Sequence, residues 1–221
     1  MSVLLQQAGG SSASTRHWPL YAQEEYETKV RPSSRDQHQG SSQHGQGQGT
    51  GASSIHKLYQ AYRAEGMRKS FQCVPLCFNA EGHVCVILKK KRDGTLKLLG
   101  GKLRAHESLR EAVARKINGI IFAPETQKKG AEPPYKLGEL LSVWYRCNFE
   151  DLLLPYLPLH ENRPKERIEV YQLVLPQRCT FQVTQQLDTL PLHDLQAECP
   201  VLASLPATLS KFALDRMERE A

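Results

Sequence analysis

Residues Lys97–Phe122 read KLLGGKLRAHESLREAVARKINGIIF, and this stretch decides the fold. Leu96–Leu99 predicts a short strand that runs into Gly100-Gly101. Five residues separate Gly101 from Glu107, and seven separate Glu107 from Arg115, which Lys116 and Ile117 follow. Glu107–Asn118 reads as a helix. Glu107 and Glu111 lie one helical turn apart near its start, where acids suit the positive end of the helix dipole. That makes them a solvated helix N-terminus rather than a metal site.

Upstream, Ile55, Leu58, Tyr59 and Tyr62 repeat at helical spacing behind a serine cap at Ser53, and Gly66 stops the helix. Phe71–Phe78 and Val84–Leu88, joined by Asn79-Ala80-Glu81-Gly82, predict a hairpin. Downstream, 119–136 ends in Glu-Pro-Pro-Tyr and reads as an insertion loop. Strands are predicted at 137–147 and 168–175, with a small edge strand at Val183–Thr184. A final helix is predicted from about Val201 to Met217, split at Pro206. Strands mixed with two or three helices give an α/β sandwich.

The chain has 221 residues, a net charge of +6 and a pI near 9.0, so one domain with additions, favouring polyanionic partners, is expected. No run of 18 apolar residues is present, and no membrane association is expected. The start, MSVLLQQAGG, lacks a basic region and a long enough apolar core for a secretory signal; a mitochondrial reading rests on Arg16 alone. The six cysteines, Cys73, Cys77, Cys85, Cys147, Cys179 and Cys199, include no CxxC pair and read as free thiols of a reducing compartment. Residues 1–15 read as a disordered tail. Residues 33–52, rich in Gln, Gly, Ser and His, bury too little to offset ordering entropy and read as a disordered linker. Between them, 16–32 carries Trp18, Pro19, Leu20, Tyr21, Tyr26 and Val30 and is expected to dock on the domain formed by 53–221 as an added strand.

The decisive stretch resembles the front half of a Nudix box, G-x5-E-x7-R-E-U-x-E-E-x-G-U, where U is a bulky aliphatic. Gly101, Glu107, Arg115 and Ile117 fit. The three carboxylates after the arginine do not: their positions hold Lys116, Gly119 and Ile120, and the second glycine is Phe122. In Nudix enzymes those acids share one helix face and collect divalent cations that polarise the pyrophosphate and activate water. A lysine puts positive charge where the cation would sit. Hydrolysis is not expected, and neither a metal nor a cofactor.

Several further stretches tighten the resemblance. They are Gly66-Met67-Arg68-Lys69, Lys97–Leu103, Trp144-Tyr145-Arg146 with Asn148-Phe149-Glu150, Pro155–His160, Pro164-Lys165-Glu166, Ser204-Leu205-Pro206 and Leu209–Phe212. In this order they resemble the Nudix subunit of cleavage factor I, the pre-mRNA 3′-end processing factor, and the segment at Trp18-Pro19-Leu20 resembles its N-terminal extension. The resemblance implies a non-hydrolytic Nudix α/β/α sandwich with a mixed β-sheet, an N-terminal extension and a C-terminal helix. It also implies a homodimer, a nuclear location, a larger RRM-containing partner subunit, and single-stranded RNA read in the groove that would have held the nucleotide. The base-reading positions differ. Thr95 stands where the family stacks a base on an aromatic ring, Gln72 stands for a glutamate, and Ser54 and Glu198 lie near an arginine and a tyrosine of the family pattern.

Charge is concentrated. Val84–Arg104 holds Lys89, Lys90, Lys91, Arg92, Lys97, Lys102 and Arg104 against Asp93 alone. These charges are expected to surround the groove, extended by Arg68 and Lys69, and to contact phosphates. The candidate RNA contacts are thus Arg68, Lys69, Lys89, Lys91, Thr95, Lys97, Lys102 and Arg104. Protection of an exposed strand edge and a basic import signal are the alternatives. Trp144, Tyr145 and Tyr135 are the aromatics available to replace the missing stack, although core packing is their commoner fate. Two other functions stay open. One is a divergent Nudix pyrophosphohydrolase, or a nucleotide sensor, for dinucleoside polyphosphates or capped RNA, drawing on Glu107, Glu111 and Glu139 or Glu150. The other is an interaction module that binds partners without RNA.

Overall fold

The structure is a computed structural model that describes residues 16–30, 51–91, 93–122, 133–150, 152–183, 186–197 and 199–218. The expected tail at 1–15, nearly all of the expected linker, most of the insertion loop and Glu198 lie outside the described residues.

The strand β3 (Arg68–Phe78) organises the sheet. On one side it pairs in parallel with β9 (Glu166–Val174), which in turn carries the antiparallel β8 (Lys136–Arg146). On its other side β3 has two successive partners. Ser70–Cys73 pairs with β6 (Leu99–Lys102), and Leu76–Phe78 pairs with β4 (Val84–Lys90). Pro75 falls in the gap between them, where a missing N–H deprives no ladder of a donor. β4 continues to β5 (Leu96–Lys97) and to the edge strand β11 (Leu187–Pro191).

Side chains alternate across this sheet and build two cores. Phe71, Cys73 and Cys77 of β3, with Cys85 and Ile87 of β4, face Ala112, Val113 and Ile117 of α2 (Leu109–Ile117). Above the same face lies a small sheet in which β10 (Cys179–Val183) is flanked by β2 (Tyr26–Val30) and β7 (Ile121–Phe122). Val74, Leu76, Val86 and Leu88 face the opposite layer. That layer is built from β1 (Arg16–Leu20), the short helices α3 (Pro200–Ala203) and α4 (Leu205–Leu209), and β12 (Phe212–Arg216). The α/β sandwich with a mixed sheet is therefore the fold.

Several expectations change in detail. The final helix stops at Leu209, and Phe212–Arg216 is a strand, because β1 supplies an open edge for it to pair with in parallel. Leu96–Leu99 is divided between β5 and β6, since Leu98 turns into the core shared with Val74 and Leu76 while the chain changes partner. Ile121–Phe122, inside the expected loop, is a strand on β10; of the expected edge strand at Val183–Thr184, Val183 ends the central strand of that sheet and Thr184 lies outside the described residues. The first helix, α1 (Gly51–Glu65), begins at the end of the expected linker and ends where Gly66, at φ 75°, donates its N–H to Tyr62. The N-terminal segment adds two strands rather than one, β1 on β12 and β2 on β10.

Trp18 anchors the first of these. It is fully buried and meets Phe212 edge to face at 5.4 Å. Its indole Nε1 has no hydrogen-bond partner. Trp18→Ala is expected to lower stability by about 3–5 kcal/mol, the cost of emptying an aromatic core site. Trp18→Phe should cost much less, because no indole hydrogen bond is lost. Urea denaturation of the two variants checks both.

Candidate functional site

The segment that joins β6 to α2 keeps the Nudix frame through packing and ion pairing. Gly100 crosses β3 so closely that any Cβ there would lie 2.2 Å from the Phe71 carbonyl oxygen. The chain then turns through His106, at φ 61°, and reaches Glu107. Arg115 closes back on Glu107 with both carboxylate oxygens engaged: Nε lies 2.5 Å from Oε1 and an Nη lies 2.6 Å from Oε2. The same guanidinium donates to the Lys102 carbonyl at 3.1 Å, and the Arg104 N–H donates to Glu107 at 2.8 Å. Glu111 has a different task. It completes a capping box with Ser108, each accepting the other's backbone N–H.

The helix face that follows carries no ligand set. Lys116 lays its methylenes against Gly101, within 2.9 Å of where a Cβ would stand. Gly119 has no side chain, and Ile120 packs beside the core beneath α2. Among the described residues, no group of three or more His, Cys, Asp or Glu side chains is arranged to hold a metal ion. Glu139 pairs with Arg16 at 2.7 Å, and Glu150 accepts from Asn148 at 2.9 Å; neither lines the groove beside the loop.

That groove encloses about 770 Å³ between α1, the start of β3, the β6–α2 loop and the segments after β8 and before β9. Six cations line it: Arg68, Lys69, Lys102, Arg104, Arg146 and Lys165. Three carboxylates oppose them. Glu65 binds Lys102 at 2.5 Å. Glu166 holds Arg68 and Arg146 at 3.2 Å each and accepts the Ser70 hydroxyl at 2.6 Å. Glu107 is committed to Arg115. The register places these groups: Arg68 sits opposite Glu166 across β3–β9, and Arg146 opposite Glu166 across β8–β9.

The expected ring of charge is only partly present. Arg68, Lys69, Lys102 and Arg104 line the groove, whereas Lys89, Lys91, Thr95 and Lys97 do not. β6 takes the edge of β3 near Arg68, so β4 leaves β3 and carries the hairpin tip elsewhere. There Lys89 faces Lys97 across β4–β5, the Lys91 N–H donates to the Thr95 carbonyl, and the Thr95 N–H donates to Asp93. Of the aromatics considered, Trp144 and Tyr135 are buried. Trp144 donates to Ser142 at 3.0 Å and the Tyr135 hydroxyl bonds Asn118. Gln72 lies on β3 between Gly100 and Val170, and Ser54 lies in α1. The sequence reading missed Arg146, Lys165, Tyr62 and Phe149 as groove residues. Each stands in a segment already singled out, but only the strand register brings those segments together.

The four buried thiols Cys73, Cys77, Cys85 and Cys179 are protonated by burial; those of Cys73, Cys77 and Cys179 are pushed up to about 12. Glu107 moves the other way. The Arg115 guanidinium and the Arg104 N–H hold its carboxyl at about 2, against an ordinary value of 4.5. A carboxyl lowered on folding contributes stability that is present above its unfolded value and lost as pH falls through its folded one. Glu107→Gln is therefore expected to lower Tm most at neutral pH, with the difference from the unaltered chain shrinking as pH falls from 4.5 towards 2. Thermal melts across that range check it.

Comparison with known proteins gives a consistent result. A family model described as a nucleotide hydrolase, NUDIX_2, matches residues 16–212. The chain is 30% identical over 166 residues to the "Cleavage and polyadenylation specificity factor subunit 5" of Dictyostelium discoideum, covering 72% of this chain and 81% of that protein. It is 32% identical over 168 residues to the "Pre-mRNA cleavage factor Im 25 kDa subunit 1" of Arabidopsis thaliana, covering 73% of this chain and 74% of the relative. Subunit 2 from the same plant is 32% identical over 157 residues, covering 68% and 76%. The chain belongs to the NUDIX_2 family, as a divergent homologue of the small Nudix subunits of pre-mRNA cleavage factor I.

Proposed function

We propose that the chain is a non-catalytic Nudix-fold subunit of a nuclear pre-mRNA cleavage and polyadenylation factor. In this reading it acts as a dimeric scaffold beside a larger RRM-containing subunit and takes single-stranded RNA in its groove. One observation carries the non-catalytic part. The one acid of the box that is retained, Glu107, is closed onto Arg115, while Lys116, Gly119 and Ile120 occupy the ligand positions of the helix. A hydrolase needs carboxylates open to hard cations at that face. The names of the relatives support the assembly, and the six cations of the groove support a polyanionic ligand.

The purified chain is expected to turn over dinucleoside polyphosphates and capped RNA at background with magnesium or manganese. It should bind single-stranded RNA with an affinity that falls steeply with salt. Lys69→Gln and Arg104→Gln should each weaken binding across sequences and reduce the slope of log K against log salt by roughly 0.7, one phosphate contact on a single strand. Fluorescence anisotropy across a salt series reads this. Metal-dependent turnover that disappears in Glu107→Gln would overturn the non-catalytic reading. Isolation from nuclei without an RRM protein or any processing factor would overturn the assembly.

A further inference from the structure

The groove has a second wall, which is apolar. Leu58, Ala61 and Tyr62 of α1, Met67, and Phe149 beyond β8 face the cations described above. Tyr62 is fixed there. Its hydroxyl donates to the Arg163 carbonyl at 3.1 Å, and the Lys165 ammonium sits 4.5 Å from its ring centroid. Phe149 meets Tyr62 and Tyr59 at 81° and 77°, both with centroids 6.1 Å apart. None of these contacts is a parallel stack. Phe149 also lies three residues after Arg146, whose guanidinium shares Glu166 with Arg68. An aromatic wall is thus set against a pair of arginines oriented by one carboxylate.

We propose that Phe149, steadied by Tyr62, is the base-stacking position of this groove, with Arg68 and Arg146 gripping the adjoining phosphate. The proposal rests on the RNA reading above and moves the stack away from the hairpin, where Thr95 offers no ring. The dimensions agree. A pocket of 770 Å³ lies in the range that holds one nucleotide-sized unit. Of the aromatics weighed from the sequence, Trp144 and Tyr135 are in the cores, and Tyr145 lies outside the groove, its backbone laddered to Leu154. Stacking on a ring tolerates any base, so this site confers affinity for unpaired bases rather than for one sequence.

The test uses the full chain and two probes, a single-stranded RNA and inorganic polyphosphate, which has the charge without the bases. Phe149→Leu is expected to weaken RNA binding by about 5- to 100-fold, the range for loss of one stacked base, and to leave polyphosphate binding unchanged. Phe149→Tyr should restore RNA binding. As a measurement on the unaltered chain, ultraviolet crosslinking to RNA carrying 4-thiouridine, mapped by mass spectrometry, should mark Phe149 or Tyr62. Equal losses on both probes, or crosslinks confined to 89–97, would overturn the proposal while leaving RNA binding intact. An unaltered chain that binds no RNA would overturn the RNA reading itself, and this inference with it.

Discussion

The change of partner along β3 is the constraint on which the rest depends. One strand of eleven residues serves β9 along one edge and divides the other between β6 and β4. Because β6 takes the half of β3 nearest Arg68, the loop after β6 stands beside that end of the sheet. Because β9 runs parallel to β3, its first residue, Glu166, arrives at the same end. β8 then brings Arg146 to the same carboxylate. The groove is the product of these three registers. A one-residue slip in any of them would turn its side chains to the opposite face of the sheet.

Much of this was legible in the sequence, and the misses share a cause. The near-continuous apolar runs Phe71–Phe78 and Val84–Leu88 mark strands buried on both faces, and they appear as expected. Gly101, Glu107 and Arg115 fall at the spacing of the Nudix box, and the loop and helix it implies are present. What local pattern did not show was pairing across long separations. Phe212–Arg216 looks helical beside α4 and becomes a strand because β1, nearly two hundred residues earlier, offers it an edge. Ile121–Phe122 becomes a strand only beside β10. Phe149 and Lys165 stand in segments noticed for their resemblance, yet nothing in their own neighbourhoods says they line one groove.

The residues retained from the Nudix box are those with a structural task. Gly101 leaves room for the Lys116 side chain, the Glu107–Arg115 pair ties the loop to the helix, and Ile117 fills the core beneath α2. Lys116, Gly119 and Ile120 stand at positions whose task in a hydrolase is chemical. Lys116 even takes up packing of its own, against Gly101. The groove keeps a frame able to host a ligand, while its charge has become mostly cationic.

The pairing of β1 with β12 has a consequence for how the chain folds. β1 is completed by β12, which lies nearly two hundred residues further along the chain. Until residues 212–216 are in place, Trp18 lacks Phe212 and one face of the sheet lacks its cover. Contacts of such separation close slowly. Closing this layer over the sheet is therefore a late step of folding, after the local hairpin of β3 and β4 has formed.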